Sequence, residues 1–210
     1  MKVRTEARRS AIVEAATELF KEMGYERASM NELAKRFGGS KATLYGYFRS
    51  KEELFVAVVE AVATGHLLDA TQELTAEIAG GPSLEARLTR FGERMLNVMA
   101  HHDESATAVY RMVVAEAGRS DVGQLFYDSG PAEAMEALAV TLAAAMDRGE
   151  LRRSDPKVTA AHFTALVTAE VDKRLYQRDP PPLTLKQIRQ MVSRALEMFM
   201  WGAVRPAPGR

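Results

Sequence analysis

The sequence predicts an all-α fold, and three observations lead to this expectation. Apolar residues recur at the i, i+3, i+4 and i+7 spacing that places them on one face of a helix. Glycines, prolines and hydroxyl or acidic caps divide the 210 residues into segments of helical length. No long stretch alternates β-branched with polar residues, as a half-buried strand would. Hydrophobic residues make up 47% and charged residues 27%, which suits a folded chain.

The first two predicted helices both end at glycines. The first stops at Gly24, after an apolar face formed by Ile12, Ala15, Ala16, Leu19, Phe20 and Met23. Ser29 and Glu32 make a capping box that opens the second helix, and Gly38-Gly39 ends it.

Serines open the next two predicted helices. Ser40 starts a short third helix. Ser50 with Glu53 caps a long fourth helix. We expect this helix to run to about Ala79, where Gly80-Gly81-Pro82 ends it.

Five more helices are predicted beyond that break. The fifth to seventh carry apolar residues at helical spacing, and the seventh is interrupted at Gly130-Pro131. Asp155-Pro156 places an N-cap before a proline and opens the eighth. Thr184 and Gln187 open the ninth, which ends near Gly202. We therefore expect nine helices joined by short connections.

The last two predicted helices have faces suited to packing against other helices. The eighth carries alanines every four residues, which leave room for close approach, at Ala161, Ala165 and Ala169. The ninth carries a wide apolar stripe at Leu185, Ile188, Val192, Leu196 and Phe199. Core of the same chain and a subunit interface explain these faces equally well.

Charge is unevenly distributed although the net charge is zero. Residues 1–51 hold 11 Lys/Arg against 6 Asp/Glu, and the remainder holds 17 against 22. This asymmetry favours a basic module that meets a polyanion. The absence of cysteine excludes disulfides and sulfur-bound zinc. No run is long and apolar enough for a signal peptide core or a membrane span, so we expect a cytoplasmic protein.

The segment SKATLYGYF, residues 40–48, predicts a helix that enters DNA. At about 100° per residue, Leu44 centres the inward face, with Ser40 and Phe48 beside it. Ala42 and Gly46 then point outward. Their neighbours on the outer face and its shoulders carry hydroxyls or a cation: Lys41, Thr43, Tyr45 and Tyr47.

Small outward residues let a helix sink into a major groove ~12 Å wide, while the hydroxyls and the lysine reach phosphates. The preceding helix completes a helix-turn-helix, because Ala34 permits close contact and Gly38 suits the turn. A helical hairpin unrelated to DNA is the alternative.

The run SMNELAKRFGGSKATLYGYFRSKEELF, residues 29–55, resembles the DNA-binding signature of TetR-family transcriptional regulators. The matching positions are Ser29, Leu33-Ala34, Gly38, Ser40-Lys41, Leu44-Tyr45, Tyr47-Phe48 and Lys51. The nine-helix layout extends the resemblance to the whole chain, and residues 115–166 are similar to the C-terminal domain of AefR-like and AcrR-like members. The resemblance implies a helix-turn-helix DNA-binding domain at 1–51 and a ligand-binding and dimerisation domain at 52–204.

The resemblance implies DNA contacts at Ser29, Ser40, Lys41, Thr43, Tyr45, Tyr47 and Lys51, with further contacts from the arm residues Arg4, Arg8 and Arg9. On the outer face, Ala42 offers a methyl group to thymine and Gly46 offers close approach alone.

Two positions depart from the family pattern. Gly39 replaces a usual valine, and we expect Phe37, where alanine is common, to fill the space. Gly46 replaces a residue that is often large and polar. We therefore expect part of the sequence preference to come from duplex shape.

The resemblance also implies a homodimer through the predicted eighth and ninth helices, and a ligand cavity among helices four to eight. The candidate ligand residues are His66, Phe91, Arg94, Met95, Met99, Tyr110, Met135, Phe163 and Glu170. Plain core is the alternative for the apolar members.

We expect no cofactor and no enzymatic activity. The run His101-His102-Asp103-Glu104 lies at a helix boundary, where neighbouring side chains point in different directions. The expected function is a ligand-responsive repressor that binds a palindromic operator and is released by a small, largely apolar effector. The alternative is a helical small-molecule-binding dimer with little or no specific DNA recognition.

Overall fold

A computed structural model describes residues 5–64, 71, 74, 82–100, 104–177 and 180–203 of the chain. Within this part of the chain, the predicted all-α class is confirmed. The helices are α1 (Glu6–Met23), α2 (Met30–Phe37), α3 (Lys41–Tyr47), α4 (Lys51–Val59), α5 (Leu84–Ala100), α6 (Glu104–Glu116), α7 (Val122–Asp128), α8 (Pro131–Asp147), α9 (Pro156–Thr168) and α10 (Leu185–Ala203). A π-helical turn at Glu60–Thr64 follows α4, and a 3₁₀ turn at Asp172–Tyr176 follows α9.

The described residues contain ten α-helices rather than nine. The stretch predicted as one interrupted helix forms α7 and α8, because Pro131 occupies the first position of a new helix. The predicted eighth and ninth helices are α9 and α10. Regular α-helix ends at Val59 in α4, and the rest of the fourth helix predicted to about Ala79 lies largely outside the described residues.

The chain divides into two compact units. Residues 1–65 and 103–130 belong to the first, and residues 66–102 and 131–210 to the second. These units group the chain by packing, whereas the predicted boundary at residue 51 separates two functions. That functional boundary stays a prediction.

The first unit has a core of aromatic and aliphatic side chains from α1 to α4, α6 and α7. Phe20 and Phe55 meet edge to face, with ring centroids 5.9 Å apart. Tyr25 meets Phe55 in the same way at 5.1 Å. This packing of α1 against α4 holds α2 and α3 on a common base.

The second unit has its core among α5, α8, α9 and α10. Phe163 lies at its centre, 5.1 Å from Phe199 and 6.4 Å from Phe91 between ring centroids. The apolar stripe of α10 is largely core, since Ile188, Val192 and Phe199 are buried. The alanine strip of α9 differs, because Ala161, Ala165 and Ala169 are all exposed.

Candidate DNA-binding surface and effector residues

The turn between α2 and α3 depends on a left-handed glycine. Gly38 has φ 67° and ψ 28°, a conformation that other residues adopt at a cost. Its N–H donates to the Lys35 carbonyl at 3.2 Å, and the Gly39 N–H donates to the Ala34 carbonyl at 3.1 Å. These bonds satisfy the last carbonyls of α2 and turn the chain sharply into α3.

Serine caps fix the start of each helix in this motif. The Ser29 hydroxyl accepts the Glu32 N–H at 3.1 Å, and the Ser40 hydroxyl accepts the Thr43 N–H at 3.1 Å. The Ser40 and Thr43 hydroxyls also lie 2.9 Å apart. Both serines are exposed, so each hydroxyl caps a helix while facing solvent.

The orientation of α3 agrees with the helical wheel. Leu44 and Phe48 are fully buried, at 0% exposure. Ala42 is exposed, and Gly46 and Thr43 are partly exposed. The predicted outward placement of the two small residues is therefore confirmed. Their contacts with DNA stay predictions.

Lys41 and Tyr45 form a polar pair on the outer side of α3. The Lys41 ammonium lies 5.8 Å from the centroid of the Tyr45 ring, and both side chains are exposed. Among the described residues, Lys41 forms no ion pair with a carboxylate. A cation with no acidic partner is available to a phosphate or a guanine edge.

Tyr47 connects α3 to the start of α1. Its hydroxyl accepts the Thr5 N–H at 3.3 Å. The hydroxyl keeps its own proton, which it can still donate to a phosphate. The predicted phosphate contact is therefore compatible with this bond.

Lys51 lies in a less open setting than the sequence suggested. Its ammonium donates to the carbonyls of Tyr25 at 3.0 Å and Glu26 at 3.5 Å, and lies 4.1 Å from the Tyr25 ring centroid. These contacts join the N-terminus of α4 to the loop after α1. The predicted phosphate contact stays a prediction, because the structure gives Lys51 partners within the chain.

Tyr25 and Glu52 extend this cluster. The Tyr25 hydroxyl donates to the Glu52 carboxylate at 3.3 Å. Burial, and then the charge of Glu52, raise the pKa of the Tyr25 phenol. Hydrogen bonds from the residue 52 amide, the Ser50 hydroxyl and then Tyr25 lower the pKa of Glu52.

Arg8 and Arg9, which the sequence assigned to an N-terminal arm, lie in the first turns of α1 and stack on rings of the helix-turn-helix. The Arg8 guanidinium carbon lies 5.4 Å from the Phe37 ring centroid, and that of Arg9 lies 5.0 Å from the Phe48 centroid. Phe37 also fills the space beside Gly39, as predicted, because a Cβ at position 39 would lie 3.1 Å from its ring. Arg4, the third predicted arm residue, lies outside the described residues.

The predicted effector residues do not form one described cluster. Phe91 and Phe163 are fully buried in the second unit, and Met95 and Met135 pack against that core. Tyr110 belongs to the first unit, where its ring centroid lies 5.8 Å from that of Phe126. His66 and the side chain of Met99 lie outside what the structure describes, and Arg94 is partly exposed.

Glu170 pairs with a cation rather than facing an apolar core. Its carboxylate accepts hydrogen bonds from Arg194 Nε at 2.8 Å and Nη2 at 2.7 Å. These bonds lower the pKa of Glu170. Both side chains are exposed, so its predicted ligand role stays a prediction without structural support.

Arg87 is a buried polar residue that the sequence reading missed. It is 8% exposed, and its Nη1 donates to the Leu74 carbonyl at 3.0 Å. The Thr141 hydroxyl reaches the same carbonyl at 3.3 Å. The spacing could have revealed it, since Arg87 lies three residues after Leu84 and four before Phe91, on the apolar face of α5.

A surface groove of about 430 Å³ lies in the second unit, and it contains none of the predicted effector residues. Its apolar floor includes Met146, Leu166 and Phe199, and its rim includes Arg152 and His162. The groove is bounded by α8, α9 and α10, and its lining includes Ala165 of the exposed alanine strip on α9.

The described residues lack two features, an apolar helix of membrane-spanning length and a metal-binding group of side chains. None of their helices is both long and apolar enough to cross a membrane. No three of their His, Asp or Glu side chains are grouped so as to hold a metal ion. His101, His102 and Asp103 lie outside the described residues, as does the side chain of Glu104.

Two curated relatives match the chain over short lengths. The HTH-type transcriptional activator FasR of Mycolicibacterium smegmatis is 47% identical over 53 residues, 25% of this chain and 24% of FasR. The uncharacterized HTH-type transcriptional regulator YvdT of Bacillus subtilis is 36% identical over 69 residues, 33% of this chain and 35% of YvdT. The chain thus spans about a quarter to a third of these two relatives.

Further matches cover the N-terminal and C-terminal parts of the chain. The solved structure of the Flavonoid-responsive Regulator FrrA has a TM-score of 0.71 and 31% identity, covering 97% of this chain and 100% of FrrA. Residues 12–58 match the family described as bacterial regulatory proteins, tetR family. Residues 86–201, more than half of the chain, match the AefR-like transcriptional repressor, C-terminal domain. The chain belongs to the TetR family of bacterial transcriptional regulators.

Proposed function

We propose that this chain is a DNA-binding transcriptional repressor that binds a palindromic operator as a homodimer and is released by a small, largely apolar effector. The observation that carries the proposal is the outer face of α3. Ala42 and Gly46 face outward, the cation of Lys41 stands beside them, and Leu44 is buried. Such a face enters a major groove without steric conflict. We propose no catalytic role, and we place this function in the cytoplasm, where duplex DNA is accessible.

The proposed contacts fall into two groups. Ser29, Ser40, Tyr47 and Lys51 hold the protein on phosphates, which sets register without reading sequence. Lys41, Thr43 and Tyr45 reach base edges, where donors and acceptors distinguish the four base pairs. Ala42 and Gly46 allow the helix to approach.

The exposed surface of α9 and α10 supports the proposed dimer. Besides the alanine strip, large apolar side chains remain exposed in this unit: Val158 at 47%, Leu185 at 54%, Met198 at 67% and Trp201 at 83%. Exposed apolar area of this kind favours a protein partner. A two-fold dimer would place two copies of α3 about 34 Å apart, one turn of DNA.

Two observations support a largely apolar effector. The name of FrrA states that FrrA responds to flavonoids, which are aromatic and largely apolar. The methionines and phenylalanines of the second unit would suit such molecules.

We propose repression rather than activation because the C-terminal domain matches an AefR-like repressor, although FasR is an activator.

Footprinting on the DNA upstream of the chain's own coding region tests this function. We expect a protected palindrome, with affinity that falls steeply as salt rises. Flavonoids and other apolar aromatics, added in turn, should include compounds that release the DNA. A chain lacking residues 1–51 should protect nothing.

The same experiment distinguishes the alternative. A small-molecule-binding dimer without operator recognition would be stabilised thermally by a compound yet protect no DNA at any salt concentration. That result would contradict the proposed repressor.

A further inference from the structure

The start of α1 is held against the helix-turn-helix by three contacts. Arg8 stacks on Phe37 at 5.4 Å, Arg9 stacks on Phe48 at 5.0 Å, and the Thr5 N–H donates to Tyr47 at 3.3 Å. Two of these contacts involve residues of α3 or its cap. The basic start of α1 is thereby fixed beside the proposed DNA-binding surface.

Phe37 can take its position because residue 39 has no side chain. A Cβ at position 39 would lie 3.1 Å from Phe37 Cδ1, closer than most real Cβ contacts, and 3.6 Å from Cε1, an ordinary contact distance. A valine would bring two more carbon atoms into the same space. The ring is only partly buried, so one face remains open to Arg8.

Arg8 differs from Arg9 in the charge that surrounds it. Arg9 lies 3.9 Å from the Glu6 carboxylate, which offsets its charge. Arg8 is exposed, and among the described residues it forms no ion pair. A guanidinium stacked on a ring keeps its N–H edge directed outward, and the ring limits the rotamers that a ligand must freeze.

We propose that Phe37 is a positioning residue for DNA binding. Its ring, admitted by Gly39, holds the Arg8 guanidinium so that its N–H edge donates to a backbone phosphate beside the site that α3 enters. The inference rests on the proposed DNA-binding function. It adds a coupled Gly39–Phe37–Arg8 unit that the family pattern, with valine and alanine at 39 and 37, does not contain.

The test begins with an operator selected by the wild-type protein from a library of random duplexes. Kd for that operator is then measured for Arg8→Ala, Phe37→Leu and the double variant, across a series of salt concentrations. Arg8→Ala should weaken binding about three- to tenfold, as for one exposed charged contact. In the Phe37→Leu background, the same change should have less than about a twofold effect, because Arg8 is no longer held.

The salt dependence separates positioning from folding. The logarithm of the association constant falls linearly as the logarithm of the salt concentration rises. Arg8→Ala and Phe37→Leu should each make this negative slope shallower by about 0.9, which corresponds to the loss of one phosphate contact. Phe37→Tyr keeps the ring and should retain the wild-type slope. Lys35→Ala is the matched control, because Lys35 is an exposed cation on α2, the helix of Phe37, and pairs with Glu32 at 3.5 Å. The effect of Lys35→Ala on Kd should be the same in the wild-type and Phe37→Leu backgrounds.

A second pair of variants covers the case in which Phe37→Leu does not fold. Gly39→Val keeps both Phe37 and Arg8 but displaces the Phe37 ring. It should therefore make the dependence of log K on log salt shallower, as Phe37→Leu does. Adding Phe37→Ala to Gly39→Val should restore thermal stability and leave the slope low. Equal effects of Arg8→Ala in the wild-type and Phe37→Leu backgrounds would overturn the inference. Failure of the wild type to select any operator would instead overturn the proposed function.

Discussion

Gly46 leaves the outer face of α3 without a side chain where direct readout would ordinarily occur. Thr43, one turn earlier, retains a hydroxyl that can bond a base edge. The two positions lie on one helix and face the same way, so they differ in chemistry rather than placement. We therefore expect the preference for particular DNA base pairs to differ between these two positions of α3.

We predict that base pairs facing Gly46 discriminate weakly, by less than about 1 kcal/mol, and that those facing Thr43 discriminate by about 1–3 kcal/mol. The physical reason is that a glycine has no donor or acceptor beyond its backbone. A scan that substitutes every operator base pair and measures Kd provides the check. Equal discrimination at both positions would show that shape readout has no special part here.

We predict that Tyr25 makes the stability of the folded chain decrease at strongly alkaline pH. Its phenol pKa is raised in the folded state, so the folded chain holds the proton more tightly than the unfolded chain does. This contribution is complete below the ordinary tyrosine pKa of about 10 and is lost as pH rises above it. We therefore expect Tm to be lower at pH 11 than at pH 8, with the Tyr25 part of the fall beginning at about pH 10, and the fall to be smaller in Tyr25→Phe.

Tyr25→Phe should also cost about 1 kcal/mol near pH 8, because the hydrogen bond to Glu52 is removed. Thermal unfolding followed by circular dichroism at both pH values measures the two effects together. The difference in Tm between the two proteins, compared at each pH, gives the contribution of the Tyr25 hydroxyl. The same fall in both would contradict the prediction.

At the scale of elements, the α2–α3 turn sets the angle at which α3 leaves α2. Local chemistry determines it, since the hydrogen bonds of the left-handed glycine, of Gly39 and of the serine cap each join groups five residues or fewer apart. This is why the sequence predicted this motif well. The caps at Ser50, Asp155 and Thr184 were predicted for the same reason, and each accepts the expected amide hydrogen bond.

We predict that Gly38→Ala lowers the free energy of unfolding by about 1 kcal/mol, because alanine is strained at φ 67°. Gly118→Ala is the matched control: Gly118 has no positive φ, and a Cβ there would meet no atom within 4 Å. Urea unfolding of the two variants compares them directly. Equal stabilities would show that the turn carries no backbone strain.

Some features of the fold depend on contacts between residues distant in sequence, which local sequence patterns do not reveal. The π-helical turn at Glu60–Thr64 ends the regular register of α4, so a wheel drawn as one straight helix to Ala79 does not hold beyond Val59. Lys51 and Glu170 were assigned to DNA and ligand. Their observed partners, Tyr25 and Arg194, lie 26 and 24 residues away in sequence, outside the reach of a helical pattern.

At the scale of the molecule, the two compact units do not coincide with stretches of sequence. Residues 103–130 return to the first unit after the chain has entered the second. Folding of the first unit therefore needs α6 and α7 as well as α1 to α4. The predicted boundary at residue 51 separates the two proposed functions, and it does not separate the two packing units.

We predict that Ala165→Glu converts the proposed dimer to monomers, because it places a charge in the exposed alanine strip of α9. Ala115→Glu is the control, since Ala115 is also exposed on a helix but belongs to the first unit. Sedimentation velocity gives the oligomeric state of each variant, and circular dichroism verifies folding. A dimer that survives Ala165→Glu would move the interface elsewhere.

The ring of Phe37 also restricts how this protein can diverge. Because a Cβ at position 39 would lie 3.1 Å from this ring, we expect a larger residue at 39 to be tolerated best together with a smaller residue at 37. Variants that carry valine at 39 should therefore favour a smaller residue at 37, and position 8 should then tolerate more substitutions.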